Sequence, residues 1–198
     1  ARMTQPQVEH PRLETSPNWH GLGWMVHEWD RRVVLGHPGG TVGQQAFLWM
    51  VPDRDVAAAL LTNGGDAGKL HHDLWTHVLS DLTGLLPPPA LAPPTKPEPI
   101  RNTERYVGRY QLFQRSVETV LTDDAGKLWL LSAADEERAE LVRVEGDLFV
   151  ALNPSGQVTR AVVFLGSDED RQATHLHSGE AAPRLAAASE RRSRQPTD

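Results

Sequence analysis

The sequence contains no cysteine, which excludes disulfides and thiolate metal sites while leaving the redox compartment open. It also lacks any apolar run near the roughly 20 residues that a membrane-spanning helix needs, so no membrane partner is expected. A basic excess is missing too: 20 Lys and Arg stand against 26 Asp and Glu, for a net charge of −6. Non-specific nucleic-acid binding requires a cationic stripe that displaces counterions from phosphate, so no nucleic-acid partner is expected either. The one dense basic run, Arg191-Arg192-Ser193-Arg194, sits in a polar tail and reads as solvated. The opening ARMTQPQVEHPRLETSPN is polar and lacks the apolar centre of a signal peptide. It starts at Ala1 with no initiator methionine, which points to a segment of something longer. The compartment stays open, with the cytoplasm slightly favoured.

The 198 residues are 39% hydrophobic and 23% charged, the composition of a globular protein with room for one large domain or two small ones. Residues 1–18, with Pro6, Pro11 and Pro17, read as an extended lead-in. HGLGWMVHEW (20–29) and RRVVLG (31–36) read as strands joined at Asp30-Arg31. A glycine-rich bend, GHPGGTVG (36–43), follows. QQAFLWMVP and VAAALLTN then read as two further strands joined at Asp53-Arg54-Asp55. From Asp66 the period changes: Leu70, Leu74, Trp75, Val78, Leu79, Leu82 and Leu86 recur at three- and four-residue spacing, which predicts an amphipathic helix. Asn63 or Asp66 is placed to cap its start, and Gly84 with Pro87 to end it.

PPPALAPPTKPEP (87–99) is a stiff linker, because proline fixes φ and removes a donor. It separates a first domain (1–86) from a β domain (100–180) and a polar tail (181–198). In the β domain RYVGRYQL, SVETVLT, KLWLLSA, RAELVRVE, DLFVAL and VTRAVVFLG are short strand candidates parted by turn residues, with ATHLHSG a further candidate. A small barrel or sandwich fits them. The expected class is therefore α+β: antiparallel strands and one helix, then an all-β barrel-like domain.

The first domain poses a packing problem. QQAFLWMV and AAALL are apolar at successive positions, the mark of strands covered on both faces. One helix covers only one face. The other is expected to be buried by polypeptide upstream of Ala1.

Several motifs are excluded. GGTVG lacks the Gly-Lys-Ser/Thr of a P-loop, and GLGWMV lacks the third glycine of a dinucleotide fingerprint. Gly-x-Ser-x-Gly does not occur, which removes a nucleophile elbow. His71, His72 and His77 on the helix, and His175 and His177 beyond it, read as solvated, with no carboxylate motif to complete a zinc site. Neither a metal nor a cofactor is expected. Trp24, Trp49, Trp75 and Trp129 read as core, and Trp29 as a candidate for the rim of a pocket.

Residues 20–86, with GLGW (21–24), GHPGGTVG (36–43), Pro52 and LLTN (60–63) in that order, resemble the C-terminal part of the penicillin-recognising, β-lactamase-like serine hydrolases. Residues 105–166 more loosely resemble the lipocalin-like domain that follows in some members. The resemblance implies that His37-Pro38-Gly39 matches the family's third active-site motif, Lys-Thr-Gly or His-x-Gly. It implies that His37 orients the substrate and assists proton transfer, that Gly39 lets the substrate approach the strand, and that the Gly40 N–H is an oxyanion donor. A histidine, mostly neutral at pH 7 when unperturbed, attracts a substrate carboxylate less than lysine does. That favours ester or peptide chemistry over dedicated β-lactam hydrolysis. The family's nucleophile sits in Ser-x-x-Lys, which these 198 residues lack. Tyr-x-Asn is absent as well, since the tyrosines precede Val107-Gly108 and Gln111-Leu112.

The first expectation is therefore the C-terminal portion of a serine hydrolase cleaving a small ester or peptide-like substrate through an acyl-serine. Its nucleophile, and the other half of its catalytic domain, would lie upstream, leaving this chain alone inactive. The alternative is a non-catalytic module whose β-barrel binds a small apolar ligand or a protein partner.

Overall fold

The fold is described from a computed structural model for residues 2–11, 13, 17–112, 116–132 and 138–186. The chain divides into two compact units after Ala90.

The first unit is a six-stranded antiparallel sheet whose strands follow one another in sequence order. They are β1 (Val8–Glu9), β2 (Trp19–His20), β3 (Met25–Trp29), β4 (Arg32–Thr41), β5 (Gln44–Val51) and β6 (Val56–Thr62). The lead-in is thus partly ordered: Val8 pairs with His20 and Glu9 with Trp19. The single strand expected over 20–29 is broken at 21–24, where Gly23 takes a φ of +80°. Asp30 and Arg31 make the β3–β4 turn with φ of +48° and +60°, the geometry that matches the twist of a tight hairpin.

The glycine-rich stretch is not a bend. β4 runs through it to Thr41, and the reversal falls on Val42 and Gly43, with Gly43 at φ +76°. Pairing with β5 continues from Leu35↔Met50 through Gly39↔Ala46 to Thr41↔Gln44. Glycine and proline are poor strand formers, but cross-strand pairing overrides local propensity.

Helix α1 (Ala67–Leu74), a π-helical turn (Trp75–Leu79) and α2 (Ser80–Thr83) follow without a break. Of the two candidate caps the Asp66 carboxylate fills the role, accepting the Lys69 N–H at 2.9 Å. Gly84 ends the helix in the left-handed conformation at φ +70°, donating to the Ser80 carbonyl at 2.7 Å. Leu86 therefore lies outside the helix and is exposed. The π turn was not foreseeable from hydrophobic spacing. The Thr76 and Ser80 hydroxyls donate to the carbonyls of His72 and Thr76 at 2.9 and 2.6 Å, competing with the regular ladder around it.

The helix packs on one sheet face through Trp75 and Leu79 against Trp29, Val34 and Val51, with Trp49, Val56 and Ala58 at the margin. Trp29 is core, 8% exposed, and not a pocket rim. Its ring meets Trp75 edge-on at 4.8 Å. His71 is not solvated: its ring stacks on Phe47 at 4.3 Å and lies 5.6 Å from Trp49.

The second unit is an eight-stranded antiparallel sheet, again in sequence order. It contains β7 (Gly108–Gln111), β8 (Val117–Thr122), β9 (Leu128–Leu131), β10 (Arg138–Glu145), β11 (Leu148–Leu152), β12 (Val158–Leu165), β13 (His175–His177) and β14 (Ala181–Pro183). A bridge from Tyr110 to Arg184 joins the first strand to the last, closing the sheet on itself. The last strand occupies the start of the stretch read as a polar tail. Residues 187–198, the remainder of that tail, lie outside the described residues.

The barrel is filled by its own side chains. Tyr106, Tyr110, Leu128, Phe149, Phe164 and Leu176 are each at most 2% exposed. At one end Arg105 makes a forked pair with the Asp147 carboxylate at 2.7 and 3.1 Å, and the Tyr106 hydroxyl donates to Asp147 at 2.7 Å. Trp129 is not core. It stands half-buried on the outer face, donating to Asp123 at 2.9 Å beneath the Arg138 guanidinium at 4.2 Å.

Candidate active site

The candidate residues His37, Gly39 and Gly40 all lie on β4, beyond the end of β3. The β3–β4 ladder stops at Met25↔Gly36, whereas β4 continues to Thr41. From position 37 onward β4 therefore presents an edge with no neighbouring strand among the described residues.

Hairpin geometry fixes what that edge displays. A two-residue loop is closed by a pair that exchanges both backbone bonds, and bonding directions then alternate along the strand. Arg32, paired with Trp29 across Asp30-Arg31, bonds toward β3, and so do Val34 and Gly36. Thr41, paired with Gln44 across Val42-Gly43, bonds toward β5, and so do Gly39 and His37. Pro38 and Gly40 therefore turn their backbone groups to the open edge. Pro38 has no N–H and loses nothing there. Gly40 directs its N–H outward.

The pleat sorts the side chains in the same way. Trp49 faces the helix, and its partner Gly36 lies beneath the ring, where a Cβ would come within 2.4 Å of it. His37 and Gly39 therefore share the opposite face with Leu48 and Ala46. On β6 the same face carries Ala57, Ala59 and Leu61, all exposed, with Leu61 at 78%. The helix covers one face, as the two-sided apolar pattern requires, and this part of the other stands open.

Gly39 and Gly40 differ from Gly36 in a telling way. Neither has a positive φ. A Cβ on Gly39 would meet nothing within 4 Å, and one on Gly40 would make only ordinary contacts at 3.5 and 3.9 Å. The described fold needs glycine at 36 but not at 39 or 40. Residues that give up a side chain without a packing reason fit a place where something else approaches the backbone.

Gly39 and Gly40 border a cleft of about 530 Å³, which extends over Gln45 and Ala46 of β5 to Leu61, Thr62 and Asn63. Among the described residues that line it, none is charged. His37 is exposed one row away, level with Leu48 and Ala59, and does not line the cleft. The structure thus brings Gly39 and Gly40 together and leaves His37 beside them. Leu61, Thr62 and Asn63 were legible only as part of the LLTN resemblance; the β5–β6 register places them at the site.

Two buried imidazoles lie on the other face, behind the site. Burial pushes the His27 pKa down to about 4, with smaller contributions from His20 and His10. Burial, then the neighbouring His72, lowers that of His71. Both favour neutral rings that pack among the tryptophans rather than acid–base groups. Ser16-Pro17-Asn18 has Ser-x-Asn spacing, but the Asn18 side-chain oxygen accepts the Glu28 N–H at 2.6 Å, and Ser16 lies outside the described residues.

The β-lactamase family model matches residues 2–83. Penicillin-binding protein 4 of Amycolatopsis lactamdurans is 44% identical over 80 residues, which is 40% of this chain and 21% of that protein. The crystal structure of SurE with D-Leu superposes over 93% of this chain with a TM-score of 0.72 and 25% identity. A second crystal structure of SurE gives a TM-score of 0.70, also at 25% identity. The chain spans about a fifth of the curated relative, 21%, and 42% and 41% of the two SurE chains. Residues 2–83 are thus similar to the β-lactamase family, and a barrel-like all-β domain follows them.

Proposed function

We propose that residues 20–86 form one wall of the active site of a serine hydrolase that cleaves ester or amide bonds through an acyl-serine. The observation that carries this reading is the free edge of β4. Gly40 directs an N–H outward there, beside a Gly39 that no packing demand explains. An N–H fixed in a strand is pre-oriented, and one well-aimed oxyanion donor lowers a barrier by about 3 kcal/mol. His37, exposed on the same strand, is placed to orient the substrate and to pass a proton.

The nucleophile belongs to a Ser-x-x-Lys motif upstream in the same polypeptide, since no such motif occurs here. The same upstream half is the natural cover for the apolar face that carries Leu61 and Val33, which are 78% and 48% exposed. The likeness to SurE, crystallised with D-Leu, supports a substrate bearing a D-amino acid. The alternative, a barrel that holds a small apolar ligand, is less well supported, because aromatic and leucine side chains fill the barrel interior.

The test is to express the segment with its native upstream coding sequence and expose it to a penicillin and to an activated D-amino acid ester. The reading predicts a covalent adduct on an upstream serine, seen as an intact-mass increase. It also predicts no adduct on residues 1–198 alone. An upstream polypeptide that takes no acyl group contradicts it.

A further inference from the structure

We infer that Pro38 is a specificity-determining residue that withholds a backbone donor from the leaving group. The site then favours a simple alcohol or amine over a leaving peptide of two or more residues. The assignment rests on the hydrolase reading and adds a leaving-group class to it.

Strand register places Pro38. Between positions 37 and 41 of β4, Pro38 and Gly40 turn their backbone groups to the open edge, because His37, Gly39 and Thr41 bond toward β5. That edge is the part of β4 that the hydrolase reading leaves to the substrate. It offers the carbonyls of Pro38 and Gly40 but only the Gly40 N–H, since proline has none to give. An acyl residue whose carbonyl oxygen takes the Gly40 N–H, and whose own N–H donates to the Gly40 carbonyl, lies antiparallel to β4. The first leaving residue, beyond the scissile bond, then points its polar groups away from the edge. The second reaches Pro38, about 7 Å along the strand from Gly40. Its N–H finds the Pro38 carbonyl. Its C=O meets the pyrrolidine ring and gives up water for no partner.

Among the described residues of β4, no neighbouring N–H makes good the deficit. Those of His37 and Gly39 are directed to β5, and that of Gly36 to β3. A proline on a free edge blocks the addition of a further strand. On the edge of an active site, the strand so blocked is the leaving chain of the substrate. A simple alcohol or amine carries no carbonyl to that position and loses nothing there. The missing N–H therefore discriminates by leaving one competitor with an unpaired polar group, not by adding a contact to the other.

The experiment uses the polypeptide with its native upstream sequence and two esters with the same reacting centre, N-acetyl-D-alanyl-D-lactyl-ethylamide and N-acetyl-D-alanyl-D-lactyl-glycinamide. Both carry the N–H that meets the Pro38 carbonyl, and only the glycinamide carries the carbonyl that follows it. The wild type should gain nothing from that carbonyl, with kcat/KM values for the two esters within about twofold. Pro38→Ala supplies the missing N–H. It should raise kcat/KM for the glycinamide relative to the ethylamide about five- to tenfold, the worth of one neutral hydrogen bond. The new N–H faces the edge and disturbs no ladder bond, so the substitution should not threaten folding. A wild type that already prefers the glycinamide about fivefold or more overturns the assignment, as does a Pro38→Ala variant that keeps the wild-type ratio. Either result leaves the hydrolase reading standing. If the wild type forms no acyl-enzyme with either ester, both fall.

Discussion

Gly36 and Trp49 are partners across β4 and β5, and a Cβ built on Gly36 would come 2.4 Å from the Trp49 ring. Three residues along the same strand, a Cβ on Gly39 would meet nothing within 4 Å. Gly36→Ala should therefore destabilise the first unit by about 1–3 kcal/mol, because the indole must leave its place among Trp29, Trp75 and His71. Gly39→Ala should stay within about 0.5 kcal/mol. Urea melts followed by tryptophan emission read both; equal losses would mean that the two glycines serve the same structural purpose.

Gly40→Pro separates fold from function. The Gly40 N–H faces the open edge, where Pro38 already sits, so the substitution should leave the melting temperature nearly unchanged. In the polypeptide that carries the upstream half it should lower kcat about 10²–10³-fold, the cost of one oxyanion donor. A large fall in stability would show that the Gly40 N–H belongs to the ladder with β5.

His27 links stability to pH. Its folded pKa, about 4, lies below the ordinary histidine value of 6.5, so between these values the unfolded chain binds the proton more tightly. Stability contributed by the neutral ring is fully present above about pH 6.5 and lost as pH falls toward 4, by up to about 3 kcal/mol. Half-buried His71, also lowered, acts in the same direction. Denaturation midpoints at pH 7.5 and 5 should differ accordingly, and His27→Phe should flatten the difference. An unchanged slope in that variant would place the titrating group elsewhere.

In the barrel, Glu118 and Arg160 meet across the lumen. β8 and β12 have three strands between them in either direction round the closed sheet, yet an Arg160 Nη lies 2.5 Å from a Glu118 carboxylate oxygen. Glu118 is 0% exposed and makes no well-angled hydrogen bond among the described residues, where Arg160 is the charge that compensates it. Arg160→Ala should cost about 3–5 kcal/mol by leaving a buried carboxylate unpaired. Glu118→Leu combined with Arg160→Met should recover most of that loss. Far-UV circular dichroism against denaturant measures each; a harmless Arg160→Ala would mean that solvent, not Arg160, satisfies Glu118.

Much of this architecture was legible in the residues. The strand candidates, the Asp30-Arg31 turn and the Asp66 and Gly84 helix signals each have a local physical cause, and each appears in the structure. The features that were missed depend on partners distant in sequence. GHPGG reads as a bend from composition, yet pairing with β5 holds it extended. His71 reads as solvated from its polarity, yet its ring is covered by Phe47 and Trp49 from another element. Trp129 reads as core from its size, but the pleat turns it outward. Glu118 lies within SVETVLT as one polar residue among several, and only barrel closure shows it facing inward. The candidate site was legible as a motif on His37, Gly39 and Gly40. The open edge and the direction of the Gly40 N–H required the register.

The coding frame immediately upstream of Ala1 tests the central claim most directly. A continuous frame bearing Ser-x-x-Lys and, further on, Tyr-x-Asn is the predicted result, and it would complete the wall formed by His37, Gly39 and Gly40. A start codon directly before this segment would contradict the account, leaving the free edge of β4 with no nucleophile to serve.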